Sequence, residues 1–228
     1  MPPLHLLHID SSASLGAYGI DPHGSHTRRL TRHVIQRWRA LRPEDQVTYR
    51  DVSRQPPSPV TEDWIEAAFT PPERRAAAMI ARLAESDRMI EELEAADVVV
   101  VGAPMYNYGI PSPLKAWIDN VVRVGVTFGF DRERSGGHYW PMLSAGKRLL
   151  ILSSRGEGGY DDGGPLAPLN LVERQIEAAM AFVGLGEAHR ISIEHVDVGD
   201  ESLLAASVAR AEVDIDSLVR RLASAPVP

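Results

Sequence analysis

Along the chain, short apolar runs bounded by turn residues alternate with longer stretches whose apolar positions recur at helical spacing. The short runs predict strands at Leu4–Ile9, Val47–Val52, Val98–Val101, Arg148–Leu152 and His189–Val196. Leu30, Val34, Ile35 and Trp38 share one face of a helix predicted from His26 to Leu41, behind Ser25. Prolines break the stretch Gln55–Pro59, since each removes an amide donor. A short helix is predicted over Thr61–Phe69 and a longer one over Pro72–Ala95. Ser112-Pro113 reads as a capped helix start. Leu114, Trp117, Ile118, Val121 and Val122 supply that helix's stripe, and Gly125 a stop. Residues 131–146 read as a surface excursion and 154–168 as a Gly/Asp-rich loop. Helices ending near Val183 and spanning Glu201–Leu222 complete the pattern, with Ala223–Pro228 frayed.

Val98–Val101 is an unbroken β-branched run, which suits a strand buried on both faces of a parallel sheet. Gly102-Ala103-Pro104 is expected to stop it abruptly, with Met105, Tyr106, Asn107 and Tyr108 following at its carboxyl end. Five strands with helices between them predict an α/β fold. The expected form is a flavodoxin-like, doubly wound five-stranded parallel sheet with helices on both faces, in a single domain over residues 1–228. Ligands of such sheets bind beyond the carboxyl ends of the strands.

Composition narrows the function classes. With 44% hydrophobic and 24% charged residues the chain has an ordinary globular balance. Its net charge is −7 and it carries no basic stripe, which argues against nucleic-acid binding. The absence of cysteine removes disulfides, thiolate metal sites and thiol nucleophiles. No apolar run reaches the ~18 residues of a membrane span, and no basic-then-apolar leader precedes Leu4, so a cytoplasmic protein is expected.

Candidate chemistry lies in three loops. The first runs Asp10-Ser11-Ser12-Ala13-Ser14 and closes on Gly24-Ser25-His26-Thr27 at a predicted helix start. Helix N-termini bind phosphate through unpaired amides, and the hydroxyls of Ser11, Ser25 and Thr27 could complete a cradle; a plain N-cap at Ser25 is the simpler alternative. The second loop, Met105–Tyr108, offers soft, aromatic and hydrogen-bonding groups to a flat ring. The third, Ser153–Tyr160, brings Gly156, where backbone can approach a planar ligand. There Arg155 could stabilise negative charge on a reduced ring, fix the loop, or form a surface salt bridge, and as a loop residue it is expected to matter more for turnover than for stability. Gly146-Lys147 precedes a strand and so is no Walker loop, G-x-G-x-x-G is missing after the first strand, and no Gly-x-Ser-x-Gly elbow exists.

Ala103-Pro-Met-Tyr-Asn-Tyr108, Leu114-Lys115, Arg123-Val-Gly-Val-Thr-Phe128 and Ser154-Arg155-Gly156, with Ser11 and Ser25-His-Thr27, resemble the FMN-dependent NADH azoreductases, relatives of flavodoxin-like quinone reductases. The resemblance covers nearly the whole chain. It implies noncovalent FMN, with Ser11, Ser25, His26 and Thr27 at the phosphate. Pro104, Met105, Tyr106, Asn107, Tyr108, Ser154, Arg155 and Gly156 would surround the ring, and Tyr108 and Phe128 the substrate pocket. It further implies a homodimer with sites at its interface, NADH or NADPH as donor, and ping-pong reduction of quinones and azo compounds. A flavin-binding electron carrier and a phosphodiesterase-type hydrolase are the alternatives. The chain departs from the pattern in extra residues around Gly16–Gly24 and in Glu157 where a second glycine is common. A histidine common shortly afterwards is absent, which leaves Tyr160 as the nearest candidate donor.

Overall fold

In a computed structural model, which describes residues 2–21 and 23–225, five parallel strands form the central sheet. They are β1 (His5–Asp10), β2 (Gln46–Asp51), β3 (Val98–Pro104), β6 (Arg148–Ser154) and β7 (Glu187–Ile193), in the spatial order β2-β1-β3-β6-β7. A separate antiparallel hairpin joins β4 (Phe128–Phe130) to β5 (Tyr139–Pro141). Every residue of β3 and β6 is buried, which explains their continuous apolar sequence: they are central strands with helices on both faces. One apolar core joins Leu7, Ile9, Val99 and Val101 to helices α3 (Ala77–Ala95), α4 (Ser112–Val121) and α5 (Val172–Val183). The other joins Leu6, Val98, Val100 and Leu152 to α1 (His26–Leu41) and α6 (Glu201–Ser224). Alternate residues of one strand feed opposite cores because side chains on a strand alternate faces. Helix α2 (Glu62–Phe69) packs in a satellite cluster with Trp64 and Leu83.

Several boundaries differ from the pattern. β3 runs on through Gly102 to Pro104, paired with β6 as far as Ser154. Gly102 does not end it; the residue is needed because a Cβ there would lie 2.9 Å from Asp10 Oδ1 and from Thr31 Cγ2. The expected helix over Pro72–Ala95 is divided. After a short 3-10 turn at Pro72–Arg74 the chain is extended at Arg75 and Ala76, and Arg75 reaches back to the carbonyls of Ala67 and Thr70 at the end of α2. Ser112 is the first residue of α4, not its cap, and makes no capping bond. The fifth strand lies earlier than expected, over Glu187–Ile193, since His195 takes a left-handed φ of 65°. Within the excursion at 131–146 lies strand β5. Trp140 there lies across Gly129, where a Cβ would be 1.9 Å from its ring. Ala223 and Ser224 are helical, not frayed, with Ala223 buried, and the Ala225 amide caps the helix on the Leu222 carbonyl; residues 226–228 of the expected fraying fall outside the described residues.

Beneath the carboxyl ends of β1 and β2 lies a buried polar cluster. The Arg28 guanidinium donates to Asp51 Oδ2 at 2.8 Å and Oδ1 at 3.0 Å, and stands 3.4 Å from Asp10 Oδ2. Its Nε also donates to the carbonyl of Ser14 at 2.8 Å, and Nη2 to that of Ser12 at 2.9 Å. Burial raises the Asp51 pKa, but the Arg28 and Ser53 hydrogen bonds more than reverse that and hold it at about 2. Desolvation, with Asp10 and Asp51 nearby, raises that of Tyr49, whose hydroxyl donates to Asp10. A single side chain thus fixes the first loop to two strand ends.

Candidate functional site

Five chain segments meet beyond the carboxyl edge of the sheet around a cavity of about 540 Å³, within the range of small-molecule and cofactor sites. The first segment brings Ser12 and Ser14. The start of α1 brings Gly24, Ser25 and His26, the end of β3 brings Pro104, Met105 and Tyr106, and the end of β6 brings Ser154, Arg155 and Gly156. Val196 and Asp197, from the loop after β7, close the remaining side.

At the start of α1 the Ser25 hydroxyl accepts from the Arg28 amide at 3.3 Å and lies 3.0 Å from the Thr27 hydroxyl. Ser25 is therefore both an N-cap and a cavity residue. Being the first helical positions, His26 and Thr27 have amides with no intrahelical acceptor. His26 is 8% exposed, and its Nδ1 is buried without a hydrogen-bond partner. Its ring stacks on Tyr18 at 3.9 Å, so the first loop packs on the start of α1. That loop is pinned by backbone bonds from Tyr18 to the Ser25 carbonyl and from Ser25 to the Gly16 carbonyl. Burial, then Arg29, lowers the His26 pKa, while Asp197 opposes them.

Asn107 and Tyr108 form a tight reverse turn, since Tyr106 and Gly109 exchange both backbone bonds, at 2.9 and 3.1 Å. Their φ values are 50° and 68°, the left-handed region that asparagine tolerates and tyrosine rarely adopts. The turn leaves both side chains exposed beside the cavity and not among its lining residues. Tyr106 is tied down: its hydroxyl accepts from the Ala13 amide at 3.2 Å, which bridges the first and second loops. Ser11 lies beneath the cavity with its hydroxyl donated to the Gly102 carbonyl at 2.7 Å, and Thr27 is fully buried. Phe128 packs against Phe182 and Tyr139 at the hairpin.

Arg155 is neither a surface ion pair nor a free cation facing a ring. It is 2% exposed and donates to Glu173 at 2.7 Å, Asp161 at 2.7 Å and Glu194 at 3.2 Å. Desolvation would lower its pKa, but Glu173 and Asp161 reverse that and raise it. Burial likewise pushes Glu173 up, and Arg155 with Ser153 brings it below the ordinary value, so both groups stay charged. Glu194 also accepts the Tyr160 amide at 3.2 Å, and the Tyr160 ring is buried. The network fastens the third loop to β7 and α5. Ser12, Ser14, Val196 and Asp197 went unassigned in the sequence. The serines stood in plain view beside Ser11, whereas the β7 loop carries no motif.

The cavity suits FMN. It offers amides and hydroxyls at a helix start for a phosphate, an orphaned imidazole beside them, and glycine-lined backbone at Gly156 for a ring. A parallel sheet with this strand order and a site across the ends of β1, β3 and β6 defines a flavodoxin-type architecture. The family described as flavodoxin-like fold matches residues 5–215. FMN-dependent NADH:quinone oxidoreductase 2 of Colwellia psychrerythraea is 37% identical over 217 residues, covering 95% of this chain and 98% of that one. FMN-dependent NAD(P)H:quinone oxidoreductase 1 of Pseudomonas aeruginosa is 41% identical, covering 78% of this chain and 84% of that one. A Bacillus anthracis FMN-dependent NADH-azoreductase, solved with FMN, superposes with a TM-score of 0.81 at 16% identity, covering 97% of this chain and all of that one. The chain belongs to the flavodoxin-like family, in the group that holds the FMN-dependent NADH:quinone oxidoreductases.

Two outcomes follow from the site's electrostatics. Arg155→Leu leaves Glu173 buried and unpaired, which should destabilise the fold by about 3–5 kcal/mol in chemical denaturation; unchanged stability with reduced turnover would return Arg155 to a direct role at a ring. His26 is held below its ordinary 6.5, so the unfolded chain takes up its proton first as pH falls. The stability contributed by neutral His26 is therefore present above about pH 6.5 and lost as pH falls through that value toward the folded pKa. Between about pH 8 and pH 5.5 the wild type should lose more stability than His26→Asn. Parallel pH profiles for the two would contradict the assignment.

Proposed function

We propose that the chain is an FMN-dependent oxidoreductase that takes two electrons from NADH or NADPH and passes them to quinones and azo compounds. The observation that carries this reading is the convergence of the α1 start with the β3 and β6 loops on one cavity. The reading is supported by relatives that cover 95% and 78% of the chain and are named FMN-dependent NADH:quinone and NAD(P)H:quinone oxidoreductases. FMN, bound without a covalent link, supplies a ring that accepts hydride from a nicotinamide and yields two electrons to an acceptor.

The chain's own residues bind and orient. The amides of His26 and Thr27, the Ser25 hydroxyl, and the adjacent Ser12 and Ser14 hydroxyls hold the phosphate; Thr27 acts through its amide and its bond to Ser25. Ser11 supports this cradle from below by fixing the first loop to Gly102. Pro104, Met105 and Tyr106 form one wall for the ring, and Ser154, the Arg155 backbone and Gly156 the other. Asn107 presents its amide from a strained turn at the rim, and Tyr108 and Phe128 shape the approach for acceptors. Holding Asn107 and Tyr108 left-handed costs on the order of 1–3 kcal/mol each, which the surrounding loops must offset.

The active form is a homodimer of cytoplasmic chains. Helix α5 has apolar groups exposed at both ends, with Leu169, Leu171 and Tyr108 at its start and Phe130, Tyr139, Met142 and Phe182 at its finish. A two-fold partner would bury the same patch on both chains. Trp140, by contrast, packs within its own hairpin, between Gly129 and the Arg134 guanidinium at 4.8 Å. Among the described residues no helix is long and apolar enough to cross a membrane.

The purified chain should bind FMN at about 1 μM or tighter, near −8 kcal/mol. With NADH and a quinone it should give parallel double-reciprocal plots. A protein that neither quenches flavin fluorescence nor shows calorimetric heat with FMN sinks the function, while flavin binding without turnover would make it an electron carrier. In sedimentation at about 10 μM the wild type should run as a dimer and Phe182→Glu as a monomer. A fully active wild-type monomer would overturn the assembly.

A further inference from the structure

The cavity contains a carboxylate that no motif assigns. Asp197 lines it from the loop after β7, and its side chain makes no hydrogen bond or ion pair among the described residues. The residue is exposed, but its backbone is fixed. The Asp197 amide donates to the Gly156 carbonyl at 3.0 Å, Val196 to Arg155 at 3.1 Å, and Arg155 to Ile193 at 2.8 Å, so the β6 and β7 loops continue their pairing past the strand ends. His195 lies against Gly158, where a Cβ would be 2.2 Å from the imidazole. The carboxylate itself rests over Gly156, where a Cβ would be 2.6 Å from Oδ2. On its other side it acts on His26, whose pKa it raises against the effect of burial.

Asp197 thus stands between the helix start and the ring loop. An ionised carboxylate only accepts hydrogen bonds. It would repel a phosphate, and a phosphate already has donors at His26, Thr27 and the serines. The segment of FMN between phosphate and ring is a polyol, whose hydroxyls donate. Resting on the FMN reading above, we infer that Asp197 accepts hydrogen bonds from the ribityl hydroxyls of the flavin and thereby selects flavins that carry a sugar chain. Charge-assisted bonds of this kind are about twice as strong as neutral ones. Glycine at 156 keeps the space that the carboxylate needs.

Titrating the full chain with FMN, riboflavin and lumiflavin by fluorescence quenching separates the possibilities, because lumiflavin lacks the polyol and riboflavin lacks the phosphate. Asp197→Ala should weaken riboflavin about tenfold or more, FMN by less because a repulsion is relieved, and lumiflavin not at all. Gly156→Ala should weaken riboflavin similarly by displacing the carboxylate, and the double variant should be no worse than Asp197→Ala. Tighter FMN with unchanged riboflavin would show that Asp197 only repels phosphate, and equal losses for all three would show a merely structural role. Either result, or no change, overturns the inference. If the wild type binds none of the three, the FMN reading itself fails.

Discussion

The geometry of this site depends on neutralising buried charge at the carboxyl edge of the sheet. Two guanidiniums do this from below. Arg28 draws together Asp10 and Asp51 at the ends of β1 and β2 and holds the Ser12 and Ser14 carbonyls with its remaining donors. Arg155 plays the same part under the third loop, between Glu173 and Glu194. A guanidinium can do this because it offers five donors in a rigid fork. Each network keeps cationic side chains occupied with protein carboxylates, so the cavity above is lined by amides, hydroxyls, imidazole and one carboxylate.

That division of labour explains the character of the site. In the proposed function, affinity for a dianion would come from the α1 start, where fixed amide dipoles need no reorganisation. The loops must hold their shape against strain, as the left-handed Asn107–Tyr108 turn shows, and they are cross-linked to do so. Tyr106 bonds the first loop, and the Leu171 amide donates to the Tyr108 carbonyl at 3.2 Å. The first loop also places Tyr18 against the His26 ring.

The sheet was readable because its central strands are uniformly apolar and its helices carry clear stripes; Val98–Val101 and the Trp38 face of α1 needed no tertiary information. What escaped depended on partners distant in sequence. Gly102 looks like a strand stop until Asp10 and Thr31 are seen against it, and Arg75 looks helical until it is found capping α2. β5 escaped because a strand of three residues is too short to show alternation. Of the candidate site, the loops were legible but not the direction of their side chains. Arg155 was placed in the right loop, yet its destination required Glu173 and Glu194, eighteen and thirty-nine residues away. Asp197 had no motif and is visible only because the β7 loop folds back on Gly156.

The most direct measurement is a crystal structure of the full chain grown with FMN. The account predicts the phosphate on the amides of His26 and Thr27, with the ring between Met105–Tyr106 and Ser154–Gly156. Density for FMN outside this cavity, or seated with its phosphate away from the start of α1, would contradict it.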